Sequence, residues 1–259
     1  MKNKILNNMV VFFYMLKLYS FYFIGKHVFL NVFDYFGVMM NKNVKYYQAI
    51  HSNRVWGDSS YGKHGEYILS ILSSIEKRDS AIDFGCGQSP LASKILEADD
   101  GIKLFDRYDP SIENISSIPQ ENYDILINTD VLEHIPEDEL KTVLKTMSSV
   151  SDKAIIIIHL AKAKLILPNG ENAHCTIKKP KEWRSLLFDF YHEVEFYQHE
   201  SLVHAIFICG FSKKENEKIK YSINLIKKRD VFKRLKELVG IERKIKYLVK
   251  RFKYNRLFK

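Results

Sequence analysis

The ten residues Ala81–Pro90 (AIDFGCGQSP) constrain this chain more than any other stretch of it. Apolar Ala81 and Ile82 read as the end of a strand, Asp83 follows, and Gly85-Cys86-Gly87 makes a glycine-rich turn. Ser89 stands where an N-cap hydroxyl accepts from the first helical turn, and Pro90 suits the next position, where its missing N–H costs nothing. Leu91, Ile95 and Leu96 then fall on one helical face. Strand, glycine turn and helix N-terminus in that order form a cradle for a nucleotide-type cofactor. The glycines let a ligand approach the backbone, and the helix start offers N–H groups without intrahelical partners.

The residues around the turn discriminate between cofactors. A pyrophosphate site wants G-x-G-x-x-G, and here the third glycine position is Pro90. Asp83, two residues before Gly85, would meet a pyrophosphate as a like charge, whereas a carboxylate there suits a cationic ligand. Lys103–Pro110 reads as a second strand ending in an acid. Asp109 is placed to accept from both ribose hydroxyls of an adenosine, because Pro110 marks the strand's end; Asp106 is the alternative if the strand is shorter. Tyr123–Asn128 reads as a buried strand leading into Thr129–Pro136 (TDVLEHIP).

The D-x-G-x-G turn and the D-V-L-E-H-I segment, in this order and spacing, resemble the motifs of class I S-adenosylmethionine-dependent methyltransferases over residues 45–212. The resemblance implies an α/β, Rossmann-like fold with a seven-stranded, mostly parallel sheet and an antiparallel final strand. It implies S-adenosylmethionine as cofactor, held by Asp83, Gly85, Cys86, Gly87, Asp109, Asp130 and Val131. The strand ends deliver three candidate catalytic histidines, His134, His159 and His174. The stretch LPNGENAH, followed by Trp183, resembles a segment of bacterial envelope-saccharide methyltransferases and makes His174 the first choice as general base. The dull alternatives are a cofactor or structural role for His134 and a satisfied core position for His159. No run of Asp, Glu and His is dense enough in the sequence to argue for a metal. No D-P-P-Y or N-P-P-Y signature of base amino-methylation is present, which weakens a nucleic-acid substrate.

Periodicity supplies the other elements. Glu66–Ile75 and Glu137–Val150 have helical apolar spacing, as does Lys181–Tyr191, and Ala154–His159 is a β-branched run suited to a central strand. Glu193–Gln198 and Val203–Phe211 read as two final strands paired antiparallel. Aromatic and histidine side chains of residues 45–79, among them Tyr47, His51, Trp56 and His64, either pack on the sheet or close over the cofactor. Cys86, Cys175 and Cys209 form neither a zinc spacing nor a disulfide framework, so a reducing cytoplasm is expected; Cys86 reads as a small residue fitting the turn.

Charge divides the chain. From Lys213 onward there are 18 Lys and Arg against 5 Asp and Glu, a net +13, so residues 1–212 carry −4 of the total +9. The apolar stripe Phe232, Leu235, Leu238, Ile241, Ile245, Leu248 and Phe252, set among cations, predicts a basic amphipathic helix. Residues 219–259 are thus expected on an anionic membrane surface, with packing on the enzyme, or a nucleic-acid arm, as the rival readings. Residues 1–44 form an apolar extension interrupted by Asn7, Asn8 and Lys17, better suited to lying on a membrane or packing on the domain than to spanning a bilayer. A native start at Met39 or Met40 is a further reading. The expected organisation is therefore 1–44 extension, 45–212 catalytic domain and 213–259 tail. The expected reaction is O-methylation of an envelope saccharide or glycolipid at the cytoplasmic face of the membrane. The rivals are RNA, quinone or lipid methylation, and a cofactor-binding scaffold without turnover.

Overall fold

The computed structural model describes residues 41–52, 59–120, 122–199, 201 and 203–229. The chain divides into two compact units, 1–47 and 48–259, and the sheet and site all lie in the second. The sequence-predicted apolar segment before residue 41, and the stripe from Phe232 to Phe252, fall outside the described residues, as does Trp56.

Helices α1 (Asn41–Ser52) and α2 (Ser59–Leu72) precede strand β1 (Ser80–Phe84) and helix α3 (Leu91–Ala98). Strands β2 (Leu104–Tyr108) and β3 (Ile125–Thr129) follow, then α4 (Glu137–Val150), β4 (Ala154–His159), α5 (Pro180–Phe188), β5 (Val194–Gln198) and β6 (His204–Cys209). Residues 213–229 form helix α6. The strand order is β2-β1-β3-β4-β6-β5, with β6 antiparallel to both of its neighbours and the remaining pairs parallel.

The expected seven strands are six among the described residues. The missing element would lie between β2 and β3, which makes the strand before Asp130 the third in the chain. The intervening sequence explains this: SIENISSIPQ has no alternation of apolar residues to cover a sheet face, and it forms only a short 3₁₀ turn, Glu113–Ile115.

Parallel strands buried on both faces need continuous apolar runs, and Ile125-Leu126-Ile127 and Ile155-Ile156-Ile157-Ile158 supply them. Alternate residues Ile125, Ile127, Ile155, Ile157, Ile206 and Ile208 join one core cluster with Ile68, Ile71 and Leu72 of α2 and with Leu91 and Ile95 of α3. Ile219, Ile223 and Ile226 of α6 are buried in the same cluster, so the opening of the basic C-terminal region is part of the core. Each such side chain contributes about 1.5–3 kcal/mol on burial. Helix α3 starts one residue later than the capping pattern suggests, yet Ser89 Oγ accepts from Leu91 N–H at 3.2 Å as expected of a cap.

After β1 the chain crosses to β2 on one side, and after β2 it returns to β3 on the other. The ends of β1 and β3 thus flank a topological switch point, where open α/β sheets bind ligands. Because β6 runs against β4, its first residue, His204, pairs with the last residue of β4, His159. The carboxyl end of β5 lies at the same edge, where His199 N–H donates to His204 O at 3.1 Å.

Candidate active site

The glycine turn is held from beneath by β2, with Gly85 N and Cys86 N both donating to Tyr108 O. Gly85 has φ +81 and Gly87 φ +51, the left-handed region that favours glycine. A Cβ on Gly85 would stand 2.7 Å from Val131, and one on Gly87 2.9 Å from the His51 ring, so both walls of the cradle press on the turn. Cys86 is buried, and burial, followed by the negative charge of Asp83, pushes its thiol up to about 12, which makes it a neutral, unreactive side chain.

Asp83 is 1 % exposed, and neither of its carboxylate oxygens has a hydrogen-bond partner. Burial raises its pKa to about 7, with the Arg107 guanidinium opposing and Asp109 reinforcing the shift. A buried, unsatisfied carboxyl at the foot of a glycine turn is costly unless a cationic or hydrogen-bond-donating ligand completes it. Asp109 stands at the end of β2 as expected and binds inward: Oδ2 accepts from Gly87 N at 2.8 Å, and Oδ1 accepts from Ser111 N at 2.8 Å and from the Ser111 hydroxyl. It shapes the turn, and its remaining lone pairs are what a ribose could use. Asp106 lies inside β2 and accepts from Tyr123 OH at 2.7 Å, so it belongs to the sheet and not to the strand-end site.

Asp130 follows β3 with φ +54, the one described non-glycine residue in the left-handed region. Such backbone costs about 1–3 kcal/mol and turns the side chain out of the strand path. Its Oδ2 accepts from His64 Nε2 at 3.2 Å, and its Oδ1 lies 3.2 Å from His204 Nε2. Burial alone would raise this carboxyl; the two imidazoles His204 and His64 outweigh it and hold the group well below the usual carboxylate range.

The three histidines singled out in sequence come together. The ring centroids of His134 and His174 are 4.6 Å apart, and those of His159 and His174 are 4.7 Å apart. His134 Nδ1 is 2.8 Å from Ala173 O and His174 Nδ1 is 2.6 Å from Ala161 O. A carbonyl only accepts, so each ring carries its proton on Nδ1 and its lone pair on Nε2. His174 is positioned by Asn172, whose Oδ1 accepts from both Ala163 N and His174 N while its amide donates to Ala163 O. Burial, then the neighbouring His174, pushes His134 down to about 4, so it stays neutral at physiological pH. His159 is lowered as well, by burial and then by His204. Fully buried Glu133, in the short 3₁₀ turn Leu132–His134 after β3, accepts from His159 N at 3.1 Å and ties that turn to β4.

The sequence left His64 between packing on the sheet and covering the cofactor, and it did not place His199 or His204 at the site. The structure joins them to the other three through His159–His204 and His64–His204 ring contacts at 4.5 and 5.0 Å, so six of the nine histidines form one continuous cluster. Two groups within it have ligand atoms less than 4.8 Å apart, His64/Asp130/His204 and Glu133/His134/His174. The sequence showed no metal-binding run because these residues are scattered across some 140 positions. Among the described residues no helix is long and apolar enough to cross a membrane.

No protein-family model matches this sequence, and no curated protein does. Several solved structures resemble it. A protein of Nostoc punctiforme PCC 73102 assigned provisionally as an O-methyltransferase is 9% identical at a TM-score of 0.46, over 63% of this chain and 59% of that one. Human N-acetylserotonin methyltransferase in complex with S-adenosylmethionine is 13% identical at 0.44, over 64% and 55%. The 1,6-didemethyltoxoflavin-N1-methyltransferase of Burkholderia thailandensis is 13% identical at 0.43, over 68% and 87%. The chain thus spans less than two thirds of the first two proteins.

Proposed function

We propose that this chain is an S-adenosylmethionine-dependent methyltransferase that acts on a hydroxyl group. The observation that carries the reading is Asp83: a fully buried carboxyl without a hydrogen-bond partner, at the end of β1, beside two glycines in left-handed conformation. A cofactor with an ammonium group and an adenosine fits what is left unsatisfied there. Asp83 would take the cation, Gly85–Gly87 would admit the ligand to the backbone, and Asp109 would offer its remaining lone pairs to a ribose. S-Adenosylmethionine supplies an electrophilic methyl group on a sulfonium. The chain's own task is then to position an acceptor and take its proton. His174 is the better base, because its Nδ1–H is anchored on Ala161 O, which leaves the lone pair on Nε2. His134, pushed down to about 4, is a weak base and serves to wall and orient His174.

The acceptor we propose is a saccharide or glycolipid hydroxyl, reached at an anionic membrane surface with help from the basic C-terminal region. The loop Leu165–Cys175 and the charge of residues 213–259 support that reading. Calorimetric titration with S-adenosylhomocysteine tests the cofactor: micromolar binding by the wild type, lost in Asp83→Ala, is expected, and a folded wild type that does not bind refutes the reading. Flotation with anionic vesicles tests the surface. The truncation should remove residues 230–259 and not 219–259, since Ile219, Ile223 and Ile226 are core residues. Steeply salt-dependent RNA affinity lost in that truncation would instead favour a nucleic-acid arm.

A further inference from the structure

We propose that His64, Asp130 and His204 form a binding site for one divalent transition-metal ion, with His199 and Ser201 as its outer support.

Three side chains from distant parts of the chain converge here: His64 from α2, Asp130 from the end of β3 and His204 from the start of β6. His64 is fully buried and the His204 side chain is 5 % exposed, while Asp130 keeps 19 % of its side-chain surface, which leaves an approach to the site. His204 Nε2 is buried and makes no hydrogen bond, although Asp130 Oδ1 is 3.2 Å away. An ion held between this nitrogen and the carboxylate would give it a partner.

The distances fit an ion. Zinc bonds to imidazole nitrogen and carboxylate oxygen run about 2.0–2.1 Å, and a tetrahedral angle between two of them puts the ligand atoms about 3.3 Å apart. His64 Nε2 lies 3.2 Å from Asp130 Oδ2 and His204 Nε2 lies 3.2 Å from Asp130 Oδ1, and one ligand atom from each of the three residues lies within 4.8 Å of the others.

The outer nitrogens are also held as metal-bound histidines usually are. His204 Nδ1 is 2.7 Å from Ser201 Oγ, His64 Nδ1 is 3.4 Å from His199 Nε2, and His199 Nδ1 is 3.0 Å from Ser201 Oγ. Ser201 N–H donates to His199 Nδ1 at 3.1 Å, which puts the His199 proton on Nε2. Ion binding opens that bond and moves the proton to Nδ1, so that His64 Nδ1–H donates to His199 Nε2, while His204 donates its Nδ1 proton to Ser201 Oγ. Both Nε2 lone pairs then face Asp130. Two imidazoles and one carboxylate suit zinc, cobalt, nickel or ferrous iron better than magnesium, which prefers oxygen ligands. Three protein ligands leave room for a water or an acceptor oxygen.

The test is titration of chelator-stripped full-length protein with Zn²⁺, followed by calorimetry, and with Co²⁺, followed by visible absorption. One equivalent is expected to bind the wild type. Binding should be lost in His204→Gln and in Asp130→Asn, weakened 10–100-fold in Ser201→Ala, and kept in Glu133→Gln and His174→Gln. If His204→Gln does not fold, Asp130→Asn, which keeps the side chain's size, decides the matter against Glu133→Gln. A folded wild type that binds neither ion overturns the proposal. So does binding that survives Asp130→Asn but is lost in Glu133→Gln or His174→Gln, which would assign the ion to the neighbouring group.

Discussion

Asp83→Asn isolates the energetics of the buried carboxyl. Asp83 titrates near 7 in the folded chain against an ordinary value of 3.8, a rise of about 3 units, or about 4 kcal/mol at 1.36 kcal/mol per unit. A raised carboxyl pKa means that the folded state binds more protons than the unfolded state between the two values. Stability from this group is therefore full below about pH 4, falls as the pH rises through about 7, and is flat above that. Integrating the linkage relation from pH 5 to pH 8 gives a loss of about 2.5 kcal/mol from Asp83 alone. Asparagine has nearly the same shape and no charge, so it does not titrate, but its buried amide lacks partners and costs about 1–3 kcal/mol at every pH. The variant should therefore gain on the wild type by about 2.5 kcal/mol between pH 5 and pH 8 and be the more stable of the two at pH 8. Urea unfolding of both proteins at the two pH values measures this, and the difference cancels every other titrating group. A wild-type–variant gap that changes by less than about 1 kcal/mol would show that Asp83 is not held protonated by burial, and the argument for a cationic ligand would lose its footing.

Three further outcomes follow from the same geometry. Gly85→Ala must place a Cβ 2.7 Å from Val131 in a left-handed backbone, so denaturant unfolding should show a loss of about 1–3 kcal/mol. Val131→Ala in the same chain should recover the steric part and leave the backbone part. His174→Gln should lower kcat for the proposed methyl transfer about 10²–10⁴-fold while S-adenosylhomocysteine affinity changes little; an unchanged kcat would remove His174 as the base. Trp183→Ala, at a fully buried position, should cost about 3–5 kcal/mol by thermal or urea unfolding.

What the sequence made legible is what local chemistry encodes. The turn at Gly85-Cys86-Gly87, the helix Glu137–Val150 and the strand Ala154–His159 are each specified by a contiguous pattern, and the last two appear with the bounds read from it. The seventh strand was inferred from resemblance without such a pattern behind it, and residues 111–120 do not supply one. The histidine cluster was half legible. His134, His159 and His174 follow parallel strands or the loop after them, so the rule that ligands sit at carboxyl strand ends finds them. His204 escapes that rule because it begins a strand. It reaches the site only because β6 is inserted antiparallel between β4 and β5, and only in the register that sets His204 opposite His159. A one-residue slip would turn His204 to the other face of the sheet. His64 likewise sits in a helix whose sequence pattern reads as packing, and the helix's approach to Asp130 is set by its buried face, Tyr67, Ile68, Ile71 and Leu72. The proposed metal site therefore depends on tertiary register and not on any motif. A variant that shifts the β4–β6 register should abolish ion binding while leaving the glycine turn and its ligand intact.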